Sequence, residues 1–271
     1  MAREPLVVTS LQNDRIKLIR SLEMRKARRE TGLFVAEGTS LLVTARDAGF
    51  TPRMMVTLMG AQYAPVQRGI VDWALDCGAD VMAVGSAVLA KIAAKDNPQT
   101  LMGVFEQRIV PGPEFSELAS DDVWLALDEV RDPGNLGTII RTADAVGAKG
   151  VILIGQCCDP FAHECVRASM GSIFPVPLVR MERVGFAEWA KGWPGDVVGT
   201  HLEGEQDFRH AKPSGPVLLV MGSEGPGMSE EVRAACTTLV RIPMAGQLDS
   251  LNLAVATALA LYQLRGAHLH I

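Results

Sequence analysis

The sequence predicts an α/β protein whose C-terminal part is an open, mostly parallel sheet. Short apolar runs alternate with segments of helical spacing along most of the chain, which is typical of α/β layers. One run, residues 151–154, is apolar throughout, as strands of a parallel sheet covered on both faces are. Turn-forming residues crowd positions 110–114 and divide the chain. We therefore predict domains over residues 1–108 and 121–271, joined by a linker at 109–120.

The N-terminal domain is predicted to be the smaller α/β layer. Its helices are expected at residues 15–29, at about 39–48, at 70–75 and at 88–94. Its strands are expected at residues 33–36, 53–57, 80–84 and 101–105. Strand and helix alternate here through short connections, as in other small α/β domains.

The C-terminal domain shows the same alternation more clearly. Its strands are expected at residues 123–127, 151–154, 196–200, 216–221 and 239–242. Its helices are expected at residues 136–146, 229–235 and 250–265. Open parallel sheets bind ligands at the carboxyl ends of their strands. Three polar segments follow strands of this domain, so we expect them to form parts of one site.

The composition predicts a soluble, cytoplasmic protein. Of the 271 residues, 48% are hydrophobic and 21% are charged, which fits a globular chain of one or two domains. No run of about 18 apolar residues is present and the N-terminus lacks a signal-peptide core, so we expect no membrane segment. The five cysteines are scattered and odd in number, which favours free thiols over a disulfide framework.

Basic residues are concentrated near the N-terminus of an acidic chain. The net charge is −5, but residues 1–30 hold 8 Lys and Arg against 4 Asp and Glu. Four of these basic residues, Arg25, Lys26, Arg28 and Arg29, fall close together. On charge alone, a solvated helix face explains them as well as a phosphate-binding patch does.

The first polar segment, residues 127–144, joins a predicted strand to a helix. Residues 132–134 (Asp-Pro-Gly) have the composition of a turn, and Asn135 can cap the helix that follows. Arg141 stands among apolar residues of that helix and must reach either an anion or solvent. Pairing with a neighbouring aspartate at the surface therefore remains an alternative to a role in a site.

The other two segments also follow strands. Glycines surround Glu224 in residues 222–227, and glycine lets a backbone approach a ligand closely. The third segment, residues 242–252, ends in Ser250-Leu251-Asn252 directly before a long Ala- and Leu-rich helix. Two small polar side chains at a buried helix start exceed what packing needs, and they suit a pocket whose backbone N–H groups face a polar ligand. An ordinary strand-to-helix turn would leave Glu224 unexplained.

The motifs of several familiar kinds of site are absent from the sequence, which argues against those sites. The chain lacks the P-loop, the dinucleotide-binding G-x-G-x-x-G and the G-x-S-x-G of serine hydrolases. Cys157, Cys158, His163 and Cys165 lie close in sequence, but their spacing matches no zinc site. We therefore expect free thiols there and no metal.

Together the three polar segments resemble the motifs of a known family. Residues 132–141 read D-P-G-N-L-G-T-I-I-R, residues 222–227 read G-S-E-G-P-G, and the third segment holds I-P-M and S-L-N. In this order and spacing they are similar to the SpoU/TrmH family of the SPOUT superfamily, which are RNA ribose 2′-O-methyltransferases that use S-adenosylmethionine. More weakly, F-V-A-E-G at 34–38 and P-Q-T-L-M-G-V at 98–104 resemble the family's RNA-binding domain, which looks like a small ribosomal-protein fold.

The resemblance implies a fold, a cofactor and partners. It implies a C-terminal parallel sheet with a deep trefoil knot from about Pro216 onwards, S-adenosylmethionine as the methyl donor, and RNA as the substrate. It also implies a homodimer with the active site at the subunit interface, which uses Arg141 of the partner subunit. Ribosomal RNA is the expected substrate, and transfer RNA is the alternative.

The resemblance also assigns the site residues. Arg141 is the expected activator of the ribose hydroxyl; because Arg is a poor base, we expect it to stabilise the alkoxide or bind the neighbouring phosphate. Asn135, Ser250, Glu224 and Asn252 are expected to position Arg141, the loop and the ribose. The expected cofactor contacts are Thr200, Gly222, Gly227, Ile242 and Leu251.

A basic helix on an otherwise acidic chain is explained if Arg25, Lys26, Arg28 and Arg29 bind RNA phosphates.

Two interpretations from other functional classes remain. A non-catalytic RNA-binding protein of the same fold would keep that helix without needing the full set of polar site residues. A small-molecule enzyme that uses a nucleotide would need neither, and the missing nucleotide motifs argue against it.

Overall fold

The structure is a computed structural model that describes residues 4–93 and 99–269. Two residues at the ends of predicted segments, Ala94 and Pro98, lie outside these ranges. Among the described residues, no helix is both long and apolar enough to cross a membrane.

The chain forms two compact units. Unit 1 holds the chain up to Gln107 together with Asp159–Pro175, and unit 2 holds Arg108–Cys158 and the chain from Val176 onwards. The segment Asp159–Pro175 therefore groups with unit 1, although it follows two strands of unit 2 in the sequence.

The helices and strands alternate along the described chain. The strands are β1 (Leu6–Val8), β2 (Leu33–Glu37), β3 (Met54–Leu58), β4 (Asp80–Val84), β5 (Leu101–Glu106), β6 (Val123–Asp128), β7 (Val151–Ile154), β8 (Leu178–Met181), β9 (Asp196–Thr200), β10 (Gln206–Asp207), β11 (Val217–Met221) and β12 (Thr238–Arg241). The α-helices are α1 (Asp14–Ser21), α2 (Arg25–Thr31), α3 (Thr39–Asp47), α4 (Pro65–Asp76), α5 (Ser86–Ile92), α6 (Pro133–Ala145), α7 (His163–Ala168), α8 (Arg183–Ala190), α9 (Glu230–Ala234) and α10 (Leu253–Arg265). Short 3-10 helices cover Phe115–Glu117, Phe208–His210 and Gly266–His268.

Unit 1 is built on a five-stranded mixed sheet in the order β1-β4-β3-β5-β2. β1, β3 and β4 run parallel, whereas β5 pairs antiparallel with β3 and with β2. The Phe34 ring lies 5.0 Å from the Phe161 ring and 5.8 Å from the Phe174 ring, centroid to centroid. Phe161 and Phe174 both belong to Asp159–Pro175, so this segment completes the core of unit 1.

The helix predicted over residues 15–29 is broken into α1 and α2 at residues 22–24. At the break, the carbonyl groups of Leu22 and Glu23 each accept a hydrogen bond from Arg28 Nη1 at 2.8 Å. Carbonyl groups at a helix end need a partner once the helical bonds stop. Arg28 supplies that partner, so its side chain stabilises the break.

Unit 2 is built on a seven-stranded sheet in the order β10-β12-β9-β11-β6-β7-β8, with parallel pairing between every pair of neighbours. The predicted parallel sheet is therefore confirmed. β6, β7 and β11 are buried over their whole length, which explains why residues 151–154 are apolar without interruption. Because all strands share one direction, their carboxyl ends meet at one edge, called the carboxyl edge below.

The sequence analysis does not predict β1, β8 and β10, which are all edge strands of two to four residues. Edge strands are partly exposed and lack a clear apolar pattern. It also does not predict α7 and α8. α10 begins at Leu253 rather than at Ser250, because the Asn252 side chain accepts the N–H of Ala254 at 2.9 Å and caps the helix there.

Candidate active site

The loops after β9, β11 and β12 enclose a cavity of about 440 Å³ at the carboxyl edge. Its volume falls within the roughly 300–1,000 Å³ of typical small-molecule pockets. Three loops that are distant in sequence meet here because their strands are neighbours in a parallel sheet. The lining comes from residues 200–202, 221–227, 241, 242, 244, 249–253 and 256.

One wall of the cavity is formed by residues 222–227, called the glycine loop below. Two backbone hydrogen bonds between Ser223 and Gly227, 3.0 and 3.2 Å long, close the loop on itself. A Cβ on Gly222 would lie 2.3 Å from the backbone of Gly227, so a larger residue would force the loop open. Gly227 has a φ of +76°, which favours glycine. This tight fold leaves Glu224 at an exposed tip.

A second wall is formed by residues 242–252, called the C-terminal loop below. Ser250, Leu251 and Asn252 line the cavity. All three are exposed, which corrects the expectation of a buried helix start. Asn252 Oδ1 caps α10, whereas its amide nitrogen and the Ser250 side chain are available to a ligand or to other parts of the site.

Three polar side chains connect the two loops. Asn135 Nδ2 donates to Glu224 Oε1 at 2.7 Å, and Asn252 Nδ2 donates to Asn135 Oδ1 at 3.0 Å. Asn135 thus uses both ends of its amide to bridge the glycine loop and the C-terminal loop. The structure brings together three of the five predicted catalytic residues.

Asn135 does not cap α6, contrary to the expectation from its position. The cap is Asp132, whose Oδ1 accepts the N–H of Asn135 at 2.6 Å. Pro133 occupies the first helical position, where a missing N–H costs nothing. Because Asp132 takes the capping role, the Asn135 side chain is free to reach the two loops.

Arg141 lies on the exposed side of α6, whereas Ile139 and Ile140 are buried. Within the described part of the chain, Arg141 makes no hydrogen bond or ion pair and does not line the cavity. It is six residues beyond Asn135, or about 9 Å along the helix axis. The described residues therefore leave its charge uncompensated at the surface.

The predicted ligand contacts converge on one cavity. The five predicted cofactor residues line it: Thr200, Gly222, Gly227, Ile242 and Leu251. Three further lining residues with ionisable side chains, His201, Arg241 and Asp249, are not predicted from the sequence. His201 and Arg241 stand at or just past strand ends, so their place in the strand pattern is the signal that could have found them.

The five cysteines, all within the described residues, form no disulfide. Burial raises the pKa of Cys157 to about 11 and the pKa of Cys236 to about 12. Both thiols are therefore protonated at neutral pH, and a protonated thiol is a poor nucleophile and a poor metal ligand. In the ranges that the structure describes, no group of three His, Cys, Asp or Glu side chains could hold a metal ion.

The basic residues of α2 fall into two groups. Arg25, Lys26 and Arg29 are exposed. Arg28 is buried, and its Nε donates to Asp159 Oδ2 at 2.8 Å, with side-chain exposures of 5% and 9%. Arg28 therefore holds unit 1 together and does not face RNA, which corrects its predicted role.

Two family models match this chain. The model of the SpoU rRNA Methylase family matches residues 122–262, which is more than half of the chain. The chain belongs to this family. The model of the MRM3-like substrate binding domain matches residues 13–103 of the same SpoU methylase.

Relatives of this SpoU methylase match over nearly its whole length. The 23S rRNA (guanosine(2553)-2′-O)-methyltransferase RlmP of Bacillus subtilis is 29% identical and aligns with 96% of this chain and 99% of its own. The structure of AdoMet-bound rRNA methyltransferase from Sinorhizobium meliloti is 42% identical, with a TM-score of 0.88 and coverage of 97% and 98%. The SpoU methyltransferase AviRb from Streptomyces viridochromogenes, in complex with AdoMet, is 29% identical, with a TM-score of 0.82 and coverage of 95% and 98%.

These findings confirm three predictions from the sequence. The family is SpoU, the enzyme class is RNA ribose 2′-O-methyltransferase, and the methyl donor is S-adenosylmethionine.

Proposed function

We propose that this SpoU methylase transfers the methyl group of S-adenosylmethionine to a ribose 2′-OH of ribosomal RNA. The observation that carries the proposal is the joining of Asn135, Glu224 and Asn252 beside the cavity at the carboxyl edge. A relative that aligns with 96% of the chain is named for methylation of 23S ribosomal RNA, which supports ribosomal over transfer RNA. A cytoplasmic location is part of the proposal and is consistent with action on ribosomal RNA.

In this proposal the cofactor lies between the glycine loop and the C-terminal loop. Its contacts are Thr200, Gly222, Gly227, Ile242 and Leu251. In this binding mode, backbone groups of the loops after the strands bond the adenine and ribose of the cofactor. Two carboxylates of the lining, Glu224 and Asp249, favour a ligand that carries sulfonium and ammonium charges.

Methyl transfer to a hydroxyl is an in-line displacement, so the protein must align the ribose oxygen with the methyl group and remove a proton. The donor supplies a good leaving group. Asn135, held by Glu224 and Asn252, positions the ribose with the help of Ser250. Arg141 stabilises the developing alkoxide or binds the adjacent phosphate, because a guanidinium with a pKa above about 12 is a poor base.

We assign the site to a homodimer in which each cavity receives Arg141 of the partner subunit. The exposed side of α10 carries three large side chains: Val255, Leu259 and Tyr262. They line an open groove together with Thr138 and Thr142 of α6, and the groove includes Asn135 and Asn252. A second copy seated there would cover the apolar side chains and reach the polar network.

Mixing two variants of strongly reduced activity tests this assembly. If Arg141 acts across the interface, a heterodimer of Arg141→Ala and Glu224→Gln subunits contains one intact site, and mixing restores activity. If Arg141 acts within its own subunit, both sites of the heterodimer are defective and mixing restores nothing. Light scattering of the wild-type protein gives the oligomeric state independently.

The trefoil knot is retained as part of the proposal. β12 lies between β9 and β10, although both precede it in the chain, and α10 then packs against α6. The C-terminal part of the chain thus enters between elements that precede it in sequence. This arrangement supports a knot formed by the chain from about Pro216 onwards.

RNA is proposed to contact unit 1 through Arg25, Lys26 and Arg29. Each contact with a phosphate releases counterions, so affinity falls with salt. Changing the three residues to Ala should weaken RNA binding and reduce the magnitude of the slope of log K against log salt by about 2 to 3, at about 0.7–0.9 per lost contact. Arg68→Ala, at another exposed position of unit 1, is the control. A slope that does not change would contradict the assignment.

Mapping of 2′-O-methyl groups tests the proposed function as a whole. RNA from cells with and without this protein is compared by mass spectrometry, and the purified protein is then added back with S-adenosylmethionine. One ribose methyl group in ribosomal RNA should disappear and be restored. A change confined to transfer RNA would favour the alternative substrate, and cofactor binding without any methylation would favour a non-catalytic RNA-binding protein.

A further inference from the structure

Asp128 is a buried carboxylate that the proposed chemistry does not use. It is the last residue of β6, in the interior of the seven-stranded sheet, and is 1% exposed. The other five residues of the strand read V-W-L-A-L. A buried carboxylate costs free energy unless hydrogen bonds and an opposite charge compensate for it. Its partners therefore indicate why the strand ends in this residue.

One partner of Asp128 lies at the base of the glycine loop, and the other is the first residue of α8. Asp128 Oδ2 accepts the backbone N–H of Ser229 at 2.6 Å, and Ser229 is the second residue after the loop. Its Oδ1 accepts from Arg183 Nε at 3.4 Å, and Arg183 Nη2 lies 2.9 Å from Glu129 Oε1. A short bond from an N–H to an ionised carboxylate is stronger than a neutral one. Arg183 supplies the compensating charge.

The connection that begins at Asp128 also holds the tip of the loop. It leads into α6, where Asn135 donates to Glu224 at 2.7 Å. Between base and tip, the two backbone bonds of Ser223 and Gly227 close the loop. A shift at the base is therefore transmitted to the tip, and the position of Glu224 depends on the bond to Ser229.

We propose that Asp128 is a positioning residue for methyl transfer, which fixes the glycine loop so that Glu224 meets Asn135 and the loop backbone keeps the shape of the cofactor cavity. The inference rests on the proposed roles of Glu224 and of the cavity. Asp128 does not line the cavity, and it acts through the N–H of Ser229.

Two variants break this contact from opposite sides. Asp128→Asn removes the charge and turns one acceptor into a donor. Ser229→Pro removes the N–H, and the φ of −65° at Ser229 suits proline. Asp122→Asn is a matched control, because Asp122 is 7% exposed, directly precedes β6 at the opposite edge of the sheet, and bonds the N–H of Ala119 at 3.0 Å.

The kcat for methylation of ribosomal RNA and the calorimetric Kd for S-adenosylmethionine are measured for each protein. We expect kcat to fall about 10- to 100-fold in Asp128→Asn and in Ser229→Pro, as on loss of a hydrogen bond to a charged group, and the Kd to rise. Asp122→Asn should keep kcat within about twofold. In a Glu224→Gln background, Asp128→Asn should lower kcat by less than about threefold, because both side chains act on one loop and their effects are not independent.

Unchanged kcat and Kd in folded Asp128→Asn and Ser229→Pro would overturn the inference. The inference would also be overturned if the kcat losses of Asp128→Asn and Glu224→Gln multiplied fully in the double variant. An equally large kcat loss in Asp122→Asn would overturn it too. If Asp128→Asn does not fold, Ser229→Pro carries the test. A wild-type protein that binds the cofactor but methylates no RNA would contradict the proposed function instead, and the Kd values would still test the contact.

Discussion

At the amino edge of the seven-stranded sheet, Asp122 and Trp193 bond to backbone groups, whereas at the carboxyl edge Asn135, Glu224 and Asn252 bond to one another beside a cavity. Asp122 accepts the N–H of Ala119, and Trp193 donates to the carbonyl of Pro216 at 2.8 Å. At the carboxyl edge, Asn135 bonds to the side chains of Glu224 and Asn252. Polar side chains therefore satisfy backbone groups at the amino edge, whereas at the carboxyl edge they form a polar surface beside the cavity.

The difference follows from the direction of the strands. Each parallel strand ends at the carboxyl edge and continues in a loop, and neighbouring loops diverge and leave a crevice. The amino edge receives the chain from the preceding helix or turn, and its backbone groups are satisfied locally. We therefore expect substitutions at the carboxyl edge to change activity and substitutions at the amino edge to change stability.

The largest effect is expected for Arg141→Ala. Loss of a group that stabilises charge in the transition state lowers kcat by about 10²–10³-fold. Because Arg141 is exposed, the melting temperature should hardly change. Methylation kinetics and thermal unfolding of the same preparation check both parts. A loss of activity accompanied by unfolding would place Arg141 with the structural residues instead.

The next effect is expected for Gly222→Ala. The added Cβ would lie 2.3 Å from the backbone of Gly227, and a forced backbone shift costs about 1–3 kcal/mol. The cofactor Kd should therefore rise about 5- to 150-fold. Gly246→Ala, in the C-terminal loop but with open space around its Cβ, is the control. Calorimetry in which both variants bind equally would show that the glycine loop does not shape the cavity.

At the amino edge, Trp193→Phe should act on stability alone. The substitution leaves the buried carbonyl of Pro216 without its donor, which costs about 1–3 kcal/mol. The free energy of unfolding in denaturant should fall by this amount while kcat stays unchanged below the transition. A drop in kcat in the folded variant would break the distinction between the two edges.

The smallest effect is expected for Asp196→Asn, also at the amino edge. Asp196 accepts the N–H of Ser214 at 2.7 Å, and Asn keeps one acceptor oxygen in place. The free energy of unfolding should fall by less than about 1 kcal/mol, and the cofactor Kd should not change. Denaturant unfolding and calorimetry measure the two quantities. A higher cofactor Kd would mean that the amino and carboxyl edges are coupled through β9.

The site could be predicted from the sequence because its residues follow strands and combine in spaced motifs. Glu224 stands among glycines and Asn252 stands before an Ala- and Leu-rich helix, and neither pattern is needed for packing. The side-chain contacts within the site could not be predicted from the sequence. Asp132 and Asn135 are both good capping residues, and only the structure shows that Asp132 takes the cap and Asn135 the bridge.

Other features depend on contacts between distant positions that periodicity does not reveal. The break between α1 and α2 depends on Arg28, which bonds to Asp159, 131 positions along the chain. On charge alone Arg28 looks like its exposed neighbours, so its burial was not predictable. Edge strands such as β8 and β10 gain their structure from a partner strand rather than from their own apolar pattern.

A crystal structure with S-adenosylmethionine tests the central claim most directly, because that claim concerns the place where the methyl donor binds. We predict that the cofactor lies between the glycine loop and the C-terminal loop, against Thr200, Ile242 and Leu251. The Asn135–Glu224 hydrogen bond should remain in place beside it. A cofactor bound away from the carboxyl edge, or one whose binding separates Asn135 from Glu224, would contradict the account.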